Sequence, residues 1–214
     1  MKLGRGSAAA LLAAAAAGAS AQTLTASDFA SGTDGWLALN GARDFAWVAA
    51  GGYIEASDIS AQSLWFFSAP ASYRGDLGAA YGGVLSYALT TSSARGALQT
   101  PYADVQILGG NGVLLSYDGD FHPGTSWTSF EVPLVANGLW KLGAIDGPAA
   151  SAVDMLAVLA DVRALRIRGD YQQAIETTGL DSVALGAAPV PEPGSAALLV
   201  AGFAAVAAWL RRRR

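Results

Sequence analysis

The chain has 214 residues, enough for about one ordinary domain with short extensions. Charged residues make up 14%, against roughly 25% in soluble globular proteins, and apolar residues 52%. Residues 22–188 hold seven basic and sixteen acidic residues, a net charge of −9, which sets this segment against nucleic acid and anionic lipid, since both need a basic surface. The absence of cysteine excludes a disulfide framework, thiolate metal sites and a Cys nucleophile, and the single histidine, His122, excludes an intramolecular multi-His metal site.

Residues 1–21 read as a secretory signal peptide. Lys2 and Arg5 form its positive start, Ala8 to Ala17 its apolar stretch, and Ala19-Ser20-Ala21 the small residues before cleavage at Gln22. The alternative is an uncleaved N-terminal anchor.

From residue 22 to 188, glycine-rich turns recur about every ten residues, with short apolar runs or alternation between them. Trp36, Leu37 and Leu39 follow the turn at 31–35, Leu64 to Phe67 form a continuous apolar run, and Val84 to Leu89 alternate. Val105 to Leu108 and Val113 to Tyr117 flank Gly109-Gly110-Asn111-Gly112, a hairpin signal. Residues 117–124 read as another hairpin turn, followed by alternating Phe130, Val132 and Leu134. Ser151 to Ala160 departs from this pattern, with Val153, Met155, Leu156 and Leu159 at helical spacing and Ser151/Asp154 resembling a capping box. Leu165, Ile167 and Tyr171, then Val183 and Leu185, complete the strands. The predicted fold is all-β, an antiparallel β-sandwich or jelly roll with one short helix.

Residues 189–214 form a separate tail: Pro191-Glu192-Pro193, a 17-residue apolar run over 194–210, and Arg211, Arg212, Arg213 and Arg214. Seventeen residues is the lower limit for a transmembrane helix, and the arginines would keep that end in the cytoplasm. The order of parts resembles the bacterial PEP-CTERM sorting signal. That resemblance implies an exosortase-type processing enzyme as partner. It further implies residence in the inner membrane before processing, then in the envelope or extracellular matrix of a Gram-negative bacterium. An ordinary anchor that is never cleaved is the alternative.

A second resemblance covers roughly residues 36–186. Leu64 to Pro70, Tyr73-Arg74-Gly75-Asp76, Tyr81-Gly82-Gly83-Val84-Leu85-Ser86-Tyr87 and Gly179 to Leu185 occur in the order found in the laminin B (domain IV) family. The resemblance implies a galactose-binding-like jelly roll akin to carbohydrate-binding modules, and supplies no catalytic residues.

A Ser-His-Asp arrangement would have to use His122, with Ser116 or Ser126 and Asp118 or Asp120, but nothing resembles a nucleophile elbow. The protein is therefore expected not to be an enzyme. Trp127 and Trp140 lie in loop-like contexts and are the candidates for stacking on sugar rings; the alternative for each is the core. In carbohydrate-binding jelly rolls, an acid of the first strand and one near the last strand often share a structural Ca²⁺. The matching residues are Asp28 and Asp181, each of which could equally be solvated or cap a turn. No other cofactor is expected. The chain thus reads as an exported, non-catalytic surface or matrix protein that binds carbohydrate or adheres. A polysaccharide-active enzyme and a purely structural envelope protein are the alternatives.

Overall fold

Strict alternation builds the sheets. In the segment Tyr53–Asp58, Ile54, Ala56 and Asp58 are buried while Tyr53, Glu55 and Ser57 are half-exposed, so one face of the strand serves the core and the other meets solvent. The computed structural model describes residues 22–93, 101–189, 202, 203 and 211. The chain divides into one unit over Ala21–Ala188 and a second made of Met1–Ser20 and Pro189–Arg214. The predicted signal peptide, Pro191, Glu192, Pro193 and Arg212 to Arg214 lie outside the described residues, as does nearly all of the 194–210 run. Among the described residues, no helix is long and apolar enough to cross a membrane.

The described strands are β1 (Thr23–Ser27), β2 (Leu37–Leu39), β3 (Ala42–Val48), β4 (Tyr53–Asp58), β5 (Phe66–Ser68), β6 (Val84–Thr91), β7 (Val105–Gly109), β8 (Leu114–Tyr117), β9 (Thr128–Pro133), β10 (Trp140–Leu142), β11 (Val162–Arg168) and β12 (Thr177–Gly186). One helix, α1 (Ala152–Leu159), precedes β11. One sheet runs β3-β4-β12-β6-β9, with β1 also paired to β12; the other runs β10-β8-β7-β11-β5-β2, and all the pairings are antiparallel. On one edge β12 takes β4 along residues 177–180 and β1 along 183–186. The core includes Trp36, Trp65, Phe67, Leu85, Ile107 and Leu115, all fully buried or nearly so. This is the expected β-sandwich.

The hairpin at Gly109–Gly112 is present, with Leu108 opposite Leu114 and Gly112 at φ +79°. Residues 117–124 differ from expectation. Strand β8 belongs to one sheet and β9 to the other, so this segment crosses between sheets and is no hairpin. The helix forms as predicted: Asp154 N–H donates to Ser151 Oγ at 3.2 Å, and Ser151 N–H to Asp154 Oδ2 at 2.9 Å. Its buried stripe is Met155, Val158 and Leu159, while Val153 and Leu156 face solvent. Two strands not expected from the sequence, β3 and β4, form an outer hairpin beside β12.

Candidate functional site

The open face of the β12 sheet gathers its side chains through register. Glu55 sits opposite Gly179, and Gly179 opposite Thr90. Because Thr128 pairs with Leu89, Trp127 falls beside Thr90 in the next strand position. Gly179 is what lets aromatic rings lie on this row. A Cβ there would stand 3.0 Å from Thr90 Cγ2, 3.1 Å from the Trp127 ring and 3.3 Å from the Tyr53 ring. Over this gap Tyr53 and Trp127 meet edge to face, with centroids 5.1 Å apart and planes at 74°.

Trp127 is 44% exposed. Burial first, then the adjacent Glu55 carboxylate by its charge and as hydrogen-bond partner, raise the Tyr53 hydroxyl above its ordinary pKa. Ser57 Oγ and Thr177 Oγ1 share a hydrogen bond of 2.7 Å further along the same face. The result is an apolar ridge of two rings flanked by a carboxylate and hydroxyls. It can cover the C–H face of a sugar ring while hydrogen-bonding its hydroxyls. Trp127 is legible from its loop context. Tyr53 is not among the residues that the sequence marks for this role, although Gly51-Gly52 followed by alternation over 53–58 signals its strand.

Trp140 does not take part. It is fully buried, stacks obliquely on Tyr117 at 5.1 Å and donates its indole N–H to Pro133 O at 2.9 Å. Its loop-like flanks, Gly138 and Gly143, bracket the short edge strand β10, whose inward residue it is. The expectation that it stacks on sugar is corrected: its area is spent on the core.

Asp28 is exposed and accepts the Ala30 N–H at 3.1 Å, and half-buried Asp181 accepts the Ser182 N–H at 2.6 Å. The β1–β12 ladder ends on the pair Ser27 and Val183, with Asp28 one residue and Asp181 two residues beyond it. Two carboxylates leave most of a calcium shell to backbone carbonyls and water, which Ca²⁺ accepts.

The acids that the fold brings closest are others. Asp58, Asp170 and Glu176 are buried and each places a carboxylate oxygen within 4.8 Å of the others. The oxygens of Asp58 and Glu176 already accept hydrogen bonds. Asp58 takes Trp65 Nε1–H at 2.5 Å and Glu176 N–H at 2.9 Å; Glu176 takes Tyr171 N–H at 2.6 Å, Gln172 N–H at 3.1 Å and Thr91 Oγ–H at 2.6 Å. This network ties the 170–176 loop to β4 and β6 of one sheet and, through Asp58, to Trp65 just before β5 of the other.

His122 contacts Asp120 at 3.0 Å on the exposed crossover, while the Ser116 hydroxyl donates to Gly143 O at 2.5 Å on another edge. The structure does not join the members of the Ser-His-Asp arrangement.

The two antiparallel sheets define a β-sandwich of the jelly-roll type. The profile of the family Laminin B (Domain IV) matches residues 66–201, and the chain belongs to that family. The basement membrane-specific heparan sulfate proteoglycan core protein of Mus musculus is 30% identical over 140 residues, 65% of this chain but 4% of that protein. The chain thus spans a small fraction of that relative's length. Among solved structures, the L4b domain of human laminin alpha-2 superimposes with a TM-score of 0.51 at 19% identity, covering 58% of this chain and 70% of that one. A family 11 carbohydrate-binding module from Clostridium thermocellum, in complex with a beta-1,3-1,4-mixed-linked tetrasaccharide, gives 0.50 at 15% identity, covering 81% of this chain and 100% of that one. An exo-beta-agarase gives 0.52 at 11% identity over 80% of this chain and 26% of the enzyme. At these identities the likeness is one of fold.

Proposed function

We propose that this chain is an exported, non-catalytic module of the cell surface or extracellular matrix that binds polysaccharide on the Trp127–Tyr53 face. The observation that carries the reading is the edge-to-face ring pair seated over Gly179, exposed beside Glu55. A ring pair held open to solvent by a glycine gap contributes little to the core, but it is suited to stacking on a ligand. Membership of a laminin family and kinship with a matrix proteoglycan support an extracellular role. The glycan-bound module of the same fold supports a carbohydrate ligand. In this reading residues 1–21 direct export, and Pro191, Glu192 and Pro193, the 194–210 run and Arg211 to Arg214 address the protein to a processing exosortase. Asp28 and Asp181 would hold a structural Ca²⁺.

The test is a broad glycan array on the purified protein and on Trp127→Ala and Tyr53→Ala. Binding to at least one polysaccharide, weakened about tenfold or more in either variant, or about 1.4 kcal/mol, is the expected result. Binding that both variants retain would move the glycan site off this face, and no binding across the array would turn the reading to a purely structural envelope protein.

A further inference from the structure

A cavity lies apart from the ring pair. Its volume is about 280 Å³, and it sits between the 118–122 crossover and the end of β11, with Tyr102 and Phe121 on its walls and Asp104 and Tyr171 deeper in. Neither Trp127 nor Tyr53 lines it. The space is just below the roughly 300–1,000 Å³ of drug-sized sites, so it suits one small ring and not an extended chain.

Its deeper groups are held in place and incompletely used. Asp104 is almost fully buried, and its Oδ2 accepts Gly119 N–H at 2.7 Å and Phe121 N–H at 3.5 Å, which fixes the carboxylate against the cavity. Tyr171 is 2% exposed, and its hydroxyl has no hydrogen-bond partner among the described residues; the same holds for the buried Tyr87 hydroxyl. Burial first, then Tyr87 and Asp104, push the Tyr171 hydroxyl well above its ordinary pKa, and Asp104 and Tyr171 line the same cavity. A buried hydroxyl left unpaired is costly, and a bound polar ligand that reaches it removes that cost.

Charge selects the ligand. Asp104, Asp118 and Asp120 line the cavity against a single guanidinium, that of Arg168. Arg168 is itself engaged by the protein: its Nε–H donates to Asp170 O, its Nη1–H to Tyr102 O at 3.3 Å, and its guanidinium lies 5.0 Å from the centre of the Tyr171 ring. His122 contacts Asp120. The excess of carboxylate in a concave wall attracts a cation and repels an anion. The aromatic walls add contact area for an apolar ring face.

We propose that this cavity is a second ligand site that takes a single sugar-sized ring bearing a protonated amine, the amino-sugar class, with Asp104 receiving the ammonium and Tyr171 hydrogen-bonding the ring. The site is independent of the sheet-face reading, and the two are read by different residues, Asp104 in the cavity and Trp127 on the sheet.

The experiment titrates the purified full chain at pH 7 with glucosamine, N-acetylglucosamine, glucose and glucuronic acid, followed by calorimetry and by ligand-observed NMR. Glucosamine should bind at least tenfold more tightly than the other three. Asp104→Asn, which keeps an acceptor for the Gly119 N–H, should abolish that preference. The double variant Asp118→Asn/Asp120→Asn at the rim, which leaves Asp104 in place, should weaken it several-fold. Equal binding of all four probes, a preference for glucuronic acid, no binding of glucosamine, or a preference that survives in well-folded Asp104→Asn would each overturn the proposal.

Discussion

Trp65 donates its indole N–H to Asp58 Oδ1 at 2.5 Å, and both side chains are fully buried. The same indole lies so close over Gly169 that a Cβ there would fall 2.2 Å from the ring, and Gly169 N–H donates to Trp65 O at 3.0 Å. Trp65→Phe keeps most of the ring volume but strips the donor from a buried acceptor, an expected loss of about 1–3 kcal/mol plus a small void. Gly169→Ala forces the ring aside and should cost about 1–3 kcal/mol or more through overpacking. Urea denaturation of both variants checks this; a midpoint within error of the parent for either one would mean that the indole does not lock Asp58 and Gly169 together.

Burial sets an unusual pH dependence. Asp104 is pushed up from 3.8 to about 6, chiefly by burial, with the Gly119 N–H opposing the shift and the Asp118 charge adding to it. Burial likewise raises Asp58 and Glu176. For a carboxyl whose pKa is higher folded than unfolded, the native state holds more protons between the two values. Stability therefore falls as pH rises through about 4 to 6 and levels off above. From pH 7.5 to pH 5 Asp104 alone should add about 1–2 kcal/mol, a rise of several degrees in Tm for a chain of this size. Thermal unfolding across that range checks the sign, and Asp104→Asn should flatten part of the slope. A Tm that falls steadily from pH 7.5 to 5 would contradict it.

The sandwich is legible in the sequence because most strands carry their own signal. Alternation over 84–91, the glycine turn at 109–112 and the capped helix at 151 are local features, and each forms where the spacing puts it. Strand β3 escapes because Ala42–Val48 mixes exposed and half-buried residues at a sheet edge, leaving no clean period. The inward row of β4 alternates but runs Ile54, Ala56, Asp58, and so ends on a charged residue that an apolar pattern does not mark. Trp127 is legible from its loop, but its partner Tyr53 lies 74 residues earlier in the sequence. Only the pairing of β4, β12, β6 and β9 unites them. The buried acids at 58, 170 and 176 are equally out of reach, since nothing local distinguishes a carboxylate that folding will enclose from a solvated one.

If Asp28 and Asp181 share a Ca²⁺, the ion binds only the folded chain and adds RT ln(1 + [L]/Kd) of stability. At about 100 times Kd this is roughly 2.7 kcal/mol, so excess chelator should lower Tm by several degrees. Asp28→Asn/Asp181→Asn should no longer respond to chelator. An unchanged midpoint in protein first confirmed to carry calcium, or a response that persists in the double variant, would place no ion between these residues.

The tail gives the most explicit expectation. Its 17-residue apolar run spans only about 25 Å as a helix, short of the roughly 30 Å hydrocarbon core, so as a permanent anchor it is thin. The four arginines can snorkel toward the cytoplasmic headgroups and lessen the mismatch. Changing Pro191, Glu192 and Pro193 together to alanine leaves the apolar run and the basic cluster intact, so insertion and orientation should persist. If an exosortase reads the motif, the variant accumulates uncleaved in the inner membrane, whereas the parent appears further out in a smaller form. Fractionation and immunoblotting in a host that carries the processing enzyme distinguish the cases, because a mere anchor would hold both proteins in the membrane at full length.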